Sequence, residues 1–167
     1  MTVQLISDIV KSALVEQLSA EKGNASLYLY IANYLHGKGL SNLAKSFEAQ
    51  HDEEQGHSMR IYKLLTDLGV VFEILPIEGF SIQFISILDI ANLFLEREIQ
   101  TTNSLKEIRN LAAEQGEGGC PIVEVEMIEM LRLQQSEMAE STDFLDKAIL
   151  TDGDWKFVLL WDMSLGG

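Results

Sequence analysis

Four glutamates, one glutamine and one histidine stand where helical periodicity calls for apolar residues: Glu21, Glu54, His57, Glu98, Gln134 and Glu137. Removing one carboxylate from water is costly unless it is paired. Four together, with no Lys or Arg on the same stripes, repel one another and push each other's pKa upward. A multivalent cation relieves that conflict directly. The donors are hard oxygens with one imidazole, which suits iron better than Cu(I) or structural Zn. Singly, each piece is weak. Glu54-Gln55-Gly56-His57 is a spacing common by chance and usually solvent-facing, Gln134-x-x-Glu137 is weaker still, and Glu21 or Glu98 alone reads as a surface acid.

What separates the set from chance is the depth at which helices must hold it. The stripes at spacings of three and four run Ile6, Val10, Ala13, Gln17, Glu21, Asn24, Tyr28, Ile31, Leu35 and Leu40, Leu43, Phe47, Gln50, Glu54, His57, Ile61, Leu64, Leu68. The second pair runs Phe84, Ile87, Ala91, Leu95, Glu98, Thr101, Leu105, Ile108, Ala112 and Val123, Met127, Met130, Gln134, Glu137, Ser141, Leu145, Ala148. All four are apolar at both ends and polar in the middle. The midpoint between Glu21 and Glu54 falls in the Gly37-Lys38-Gly39 turn, and that between Glu98 and Glu137 falls among Gly116–Gly119. Each pair therefore lies at one level, and independent surface acids have no reason to do so.

The two prolines, Pro76 and Pro121, and the glycine-rich stretches punctuate the chain. They predict helices near 4–36, 40–68, 84–113 and 121–149, each about 30 residues or about 45 Å. A short fifth helix is expected over Trp155–Ser164. Tight turns at 37–39 and 115–121 make each pair antiparallel, and the apolar link Gly69–Gln83 is long enough to cross the bundle. The expected fold class is all-α, a four-helix bundle with a long crossover between helices two and three, in one domain over residues 1–167.

A chain of 167 residues with 47% hydrophobic content can bury one core, so disorder is not expected. Its net charge of -14 argues against nucleic acid as a partner. Cys120 is the only cysteine, which excludes an intrachain disulfide or a CxxC knuckle. The opening Met1–Asp8 has no basic region followed by an apolar run, and the uncharged stretch Gly79–Leu88 is too short for a bilayer. The expectation is a soluble, cytoplasmic protein with no membrane partner. His36 at a helix end reads as a cap or surface residue, His51 as solvated or adjacent to the site, and the methionines as core packing rather than haem ligands. Tyr28, two turns after Glu21, is core by default and a possible electron donor or hydrogen-bond partner beside a metal.

The arrangement resembles di-iron carboxylate bundles, in which two helices each give a Glu and two give Glu-x-x-His. The fourth helix departs, with Gln134-x-x-Glu137 in place of the second Glu-x-x-His. That variant, with Glu16-Gln17-x-x-x-Glu21 and Tyr28, resembles the non-haem bacterial-type ferritins over nearly the whole chain. The resemblance implies Glu21, Glu54 and His57 around a first iron, and Glu54 bridging to a second held by Glu98, with Gln134 and Glu137 nearby. It further implies a homo-oligomeric shell of 24 subunits, Fe(II) and O2 or H2O2 as reactants, a ferric mineral inside, and Glu124 near a threefold channel. No haem is expected, because Gln55 stands where a bacterioferritin would have Met. One cysteine cannot build the cysteine-rich domain of a rubrerythrin. A third iron, through Glu53, is expected to be weak, since Leu133 and Ser136 replace two acids of that site. Two rivals remain open on the residues alone: a di-iron oxidase or peroxidase acting on another substrate, and an iron-binding scaffold without turnover.

Overall fold

The computed structural model describes residues 5–114 and 120–167. Five helices follow in chain order: α1 (Asp8–Gly37), α2 (Ser41–Asp67), α3 (Ile87–Glu114), α4 (Pro121–Leu150) and α5 (Trp155–Leu165). No strand occurs among the described residues. The expected turn at 115–119 and the expected start of helix one at residue 4 lie outside the described residues. Of that connection, Cys120 and Pro121 are described, and the Cys120 amide donates to the Ala112 carbonyl at 2.8 Å.

Two helix starts fall later than the periodicity predicts, for one reason: local capping outweighs a terminal apolar residue. Ser7 caps α1, its Oγ accepting from the Val10 amide at 3.3 Å. At α3 the Asp89 carboxylate accepts from the Ile85 and Ser86 amides at 2.7 and 3.0 Å, while Ser86 Oγ accepts from Leu88. That reciprocal box fixes Ser86 as the cap, so Phe84 belongs to the link. α2 has no side-chain cap of its own. Instead Asp162 of α5, a buried carboxylate, accepts from the Leu43 amide at 2.7 Å, and this joins α5 to the bundle.

α1 and α2 both end in a left-handed glycine. Gly39 (φ 77°) and Gly69 (φ 73°) let the Leu40 and Val70 amides reach back to the Leu35 and Leu65 carbonyls at 3.0 Å. The link then climbs along α1. Ser19 donates to the Pro76 carbonyl, Tyr30 to Ile82 and Tyr34 to Phe84, at 3.5, 2.6 and 3.1 Å. The order of these partners shows a crossover running the length of the bundle, as the sequence predicts.

Two apolar clusters fill the ends of the bundle. One gathers Tyr28, Ile31, Leu35, Phe47, Phe94, Phe144 and Val158; the other gathers Val10, Leu14, Leu18, Ile61, Leu65, Val123 and Met127. Phe94 and Phe144, rather than the expected Leu95 and Leu145, are the buried members of their stripes. Between the clusters lies a polar layer: Gln17, Glu21, Asn24, Glu54, Glu98, Thr101, Gln134 and Glu137 are all buried. No described helix is long and apolar enough to cross a membrane.

Candidate metal centre

One side chain from each of α1, α2, α3 and α4 brings a carboxylate into that layer. Glu21, Glu54 and Glu98 are fully buried and Glu137 is 4% exposed. Two groups have donor atoms within 4.8 Å of one another: Glu21, Glu54 and His57, and Glu54, Glu98 and Glu137. Glu54 belongs to both. Thus five of the six stripe residues singled out by spacing converge as potential ligands, and Gln134 lies beside them.

The polar bonds divide the carboxylate oxygens into held and free. Gln17 Nε2 donates to Glu21 Oε1 at 2.8 Å. The Tyr28 hydroxyl donates to Glu98 Oε1, and Gln134 Nε2 donates to Glu98 Oε2 at 2.5 Å. Left with no hydrogen-bond partner are Glu21 Oε2, both oxygens of Glu54, Glu137 Oε2 and His57 Nδ1. His57 Nδ1 lies 4.0 Å from Glu21 Oε2 and 4.0 Å from Glu54 Oε2, and its Nε2 is 3.3 Å from Glu137 Oε1. Buried acceptors normally find donors. Five orphans around one point are the strongest physical signal in the molecule for a bound cation.

Electrostatics agree. Burial, then the charges of Glu21, Glu98 and Glu137, hold Glu54 far above the usual carboxylate range. Burial raises Glu137 to about 9, helped by Glu98 and Glu21. Burial also raises Glu98, to about 7, although the bonds from Tyr28 and Gln134 pull it down. His57 is lowered, chiefly by burial and further by Arg60, against an upward pull from Glu21; its ring is therefore neutral with a lone pair to give. Tyr28 is raised well above its ordinary value by burial and by Glu98 and Glu54, so its proton stays on.

The remaining residues sort differently from their spacing. Gln134 spends its amide on Glu98 and therefore orients a carboxylate in this structure. Glu53 is exposed on α2 but near enough for its charge to help raise Glu98 and Glu137, and partial burial and then Glu140 raise its own pKa. Glu140 accepts from Gln50 Nε2 at 2.8 Å, which limits its freedom to swing. Glu124 faces Arg109 at 3.2 Å. His36 pairs with Glu48 on the surface at 2.8 Å, as a surface residue should. His51 is bonded to the Ala25 carbonyl at 2.7 Å, tying α2 to α1. Spacing gave no role to Gln17, though its place one turn before Glu21 on the same stripe was the available signal. The Asn24–Thr101 bond at 3.1 Å closes the layer between α1 and α3.

A family model described as ferritin-like domain matches residues 11–150. Ferritin BfrB of Mycolicibacterium smegmatis is 30% identical over 102 residues, 61% of this chain and 56% of that protein. A bacterial non-heme ferritin of Staphylococcus aureus (strain USA300) is 27% identical over 108 residues, 65% of each chain. The chain thus spans between about half and two thirds of the length of these curated relatives. Among solved structures, an open pore ferritin from the hyperthermophilic archaeon Archaeoglobus fulgidus superposes with a TM-score of 0.87 at 24% identity, covering 96% of this chain and 97% of that one. A closed form engineered from the same ferritin also gives 0.87. These likenesses bear on the fold.

Proposed function

Because this chain belongs to the ferritin-like domain family, we propose that it is an iron-storage subunit, one ferritin-like domain over residues 1–167, that oxidises its Fe(II) cargo at the four-helix centre. Fe(II) is the substrate. One ion would sit among Glu21, Glu54 and His57 and a second among Glu54, Glu98 and Glu137, with Glu54 shared and the pair about 3.5–4 Å apart. The observation that carries this reading is the group of five orphaned buried acceptors at one point.

The residues act in the order their protons dictate. Arrival of the cations displaces protons from Glu54 and Glu137, which burial keeps protonated at neutral pH. Neutral His57 gives its Nδ1 lone pair. Gln17 holds one oxygen of Glu21 and leaves the other free, while Gln134 and Tyr28 each hold one oxygen of Glu98, whose remaining lone pairs are its share for a cation. Two Fe(II) lose one electron each to O2, which takes up two protons and leaves as H2O2; with H2O2 as oxidant the product is two waters. Hard carboxylates favour the Fe(III) product. Tyr28 keeps its proton and donates it in a hydrogen bond to Glu98, which fixes the orientation of that carboxylate.

Exposed apolar side chains on the link and on α5, among them Val71, Ile74, Ile85, Phe157, Leu160 and Met163, support assembly. A closed homo-oligomeric shell, 24 subunits in this reading, would cover them, with a native mass of about 24 times the 18.7 kDa subunit. At the third position Leu133 cannot ligate, Ser136 is neutral and Glu140 is held by Gln50, so any third iron near Glu53 is weakly bound. The Arg109 partner leaves Glu124 partly neutralised as a channel acid.

The test is anaerobic loading with Fe(II), then O2, followed by absorbance and oxygen uptake. Saturation near two Fe(II) per subunit and about two Fe oxidised per O2 are expected. Bound Fe(II) that O2 does not oxidise would favour the scaffold, and consumption of an added organic substrate would favour the oxidase.

A further inference from the structure

The two ions of the centre do not draw on the helices alike. The first takes its donors, Glu21, Glu54 and His57, from the hairpin α1–α2 alone. The second takes Glu54 from that hairpin but Glu98 and Glu137 from α3–α4. Its cage is therefore only as well defined as the docking of one hairpin on the other. We propose that Asn24 and Thr101 are positioning residues that set this docking and so govern the second ion selectively, an inference that rests on reading the centre as a two-ion site.

Asn24 Nδ2 donates to Thr101 Oγ1 at 3.1 Å, and both residues are 4% exposed. Asn24 stands three residues after Glu21, and Thr101 three after Glu98. The bond thus joins α1 to α3 one helical turn from a carboxylate on each. Packing alone does not call for an amide and a hydroxyl at this place. A buried polar pair exchanged for apolar groups of like shape costs little stability. What the pair supplies instead is a directed bond of fixed length.

The bond stands where side-chain packing between α1 and α3 gives out. Toward the start of α1, Ala13, Ala20 and Ser104 are too short to fill the seam, and a cavity of ≈ 280 Å³ lies there. On the other side the seam is packed, with the rings of Tyr28 and Phe94 edge to face at 5.3 Å and the Tyr28 hydroxyl on Glu98. The seam between α2 and α4 is pinned independently, by Gln50 on Glu140 at 2.8 Å and by the Arg60–Glu126 ion pair. Loss of the Asn24–Thr101 bond therefore frees α3 from α1 while α2 keeps its hold on α4. Glu98 then shifts against Glu54, whereas Glu21, Glu54 and His57 keep their places within one hairpin.

The experiment titrates the whole assembled protein, metal-free and anaerobic, with Co(II), followed by calorimetry and by visible d–d absorption. The parent should take up two Co(II) per subunit at the centre. Thr101→Val removes the hydroxyl at nearly constant shape and should weaken the second Co(II) about tenfold or more, as loss of a bond behind a metal ligand does, with the first unchanged. Thr101→Ser keeps the hydroxyl and should behave as the parent. Asn24→Leu combined with Thr101→Val leaves no polar group unpaired, so its denaturant midpoint should return toward the parent's while its second Co(II) stays weak. A merely structural pair would not separate stability from binding in this way. If Thr101→Val does not fold, the double variant carries the same comparison. A parent that binds fewer than two Co(II) at the centre overturns the two-ion reading and this proposal with it. A parent that binds two, with variants whose second Co(II) is unaltered or whose two ions are weakened equally, overturns the proposal alone.

Discussion

The polar layer and the aromatic cluster beside it are built on the same four helices, a turn or two apart, yet they obey opposite rules. Around Phe47, Phe94 and Phe144 every ring meets another edge to face, and burial is its own reward. In the layer, Glu21, Glu54, Glu98 and Glu137 are buried as deeply, yet only Glu98 has both oxygens held and the other three leave acceptors unpaired. The cluster is optimised for the folded chain alone, whereas the layer is complete only with cations in it. Local conflict of that kind marks function rather than packing.

The sharpest way to break the comparison is to remove donors from the layer. Glu54→Ala and His57→Ala should cut Fe(II) oxidation by about a hundredfold or more while the helical circular dichroism stays. Parent-like rates in both variants would move the site elsewhere. In the cluster the same kind of truncation should do the reverse. Phe47→Ala should cost about 3–5 kcal/mol of stability by denaturant unfolding, with little loss of iron binding in whatever fraction folds.

The legibility of the two regions differs as well. Acids interrupting an apolar stripe stand out, so Glu21, Glu54, His57, Glu98 and Glu137 could be read from spacing. Phe94 and Phe144 could not be chosen over Leu95 and Leu145, because both neighbours are apolar and helical periodicity tolerates either. The held oxygens were hidden too: Gln17 and Gln134 look like ligands or bystanders until their bonds to Glu21 and Glu98 are seen. Ser86 and Asp89 form a capping box whose signal is local, and it was overshadowed by Phe84 continuing the stripe. The link's path along α1 has no periodicity to read, since Tyr30 and Tyr34 place it from outside.

A smaller effect sharpens the contrast through pH. A carboxyl whose folded pKa is raised contributes stability that is fully present below its unfolded pKa and is lost as pH rises through the folded one. Glu98, raised to about 7, and Glu137, raised to about 9, make the iron-free protein lose stability in two stages between about pH 4.5 and 9. Denaturant midpoints of the iron-free protein should fall over that range. Glu98→Gln should flatten the lower stage, and saturating divalent metal should flatten both. A midpoint that rises steadily from pH 5 to 9 without metal would mean the layer is not strained by its charge.

The central claim, that two cations complete the layer, is tested most directly by anomalous scattering at the iron edge from crystals soaked in Fe(II). Two peaks about 3.5–4 Å apart are predicted, one among Glu21, Glu54 and His57 and the other among Glu54, Glu98 and Glu137, with any third peak near Glu53 at lower occupancy. No peak within the layer of crystals that take up iron, or full occupancy only beside Glu53, would contradict the account.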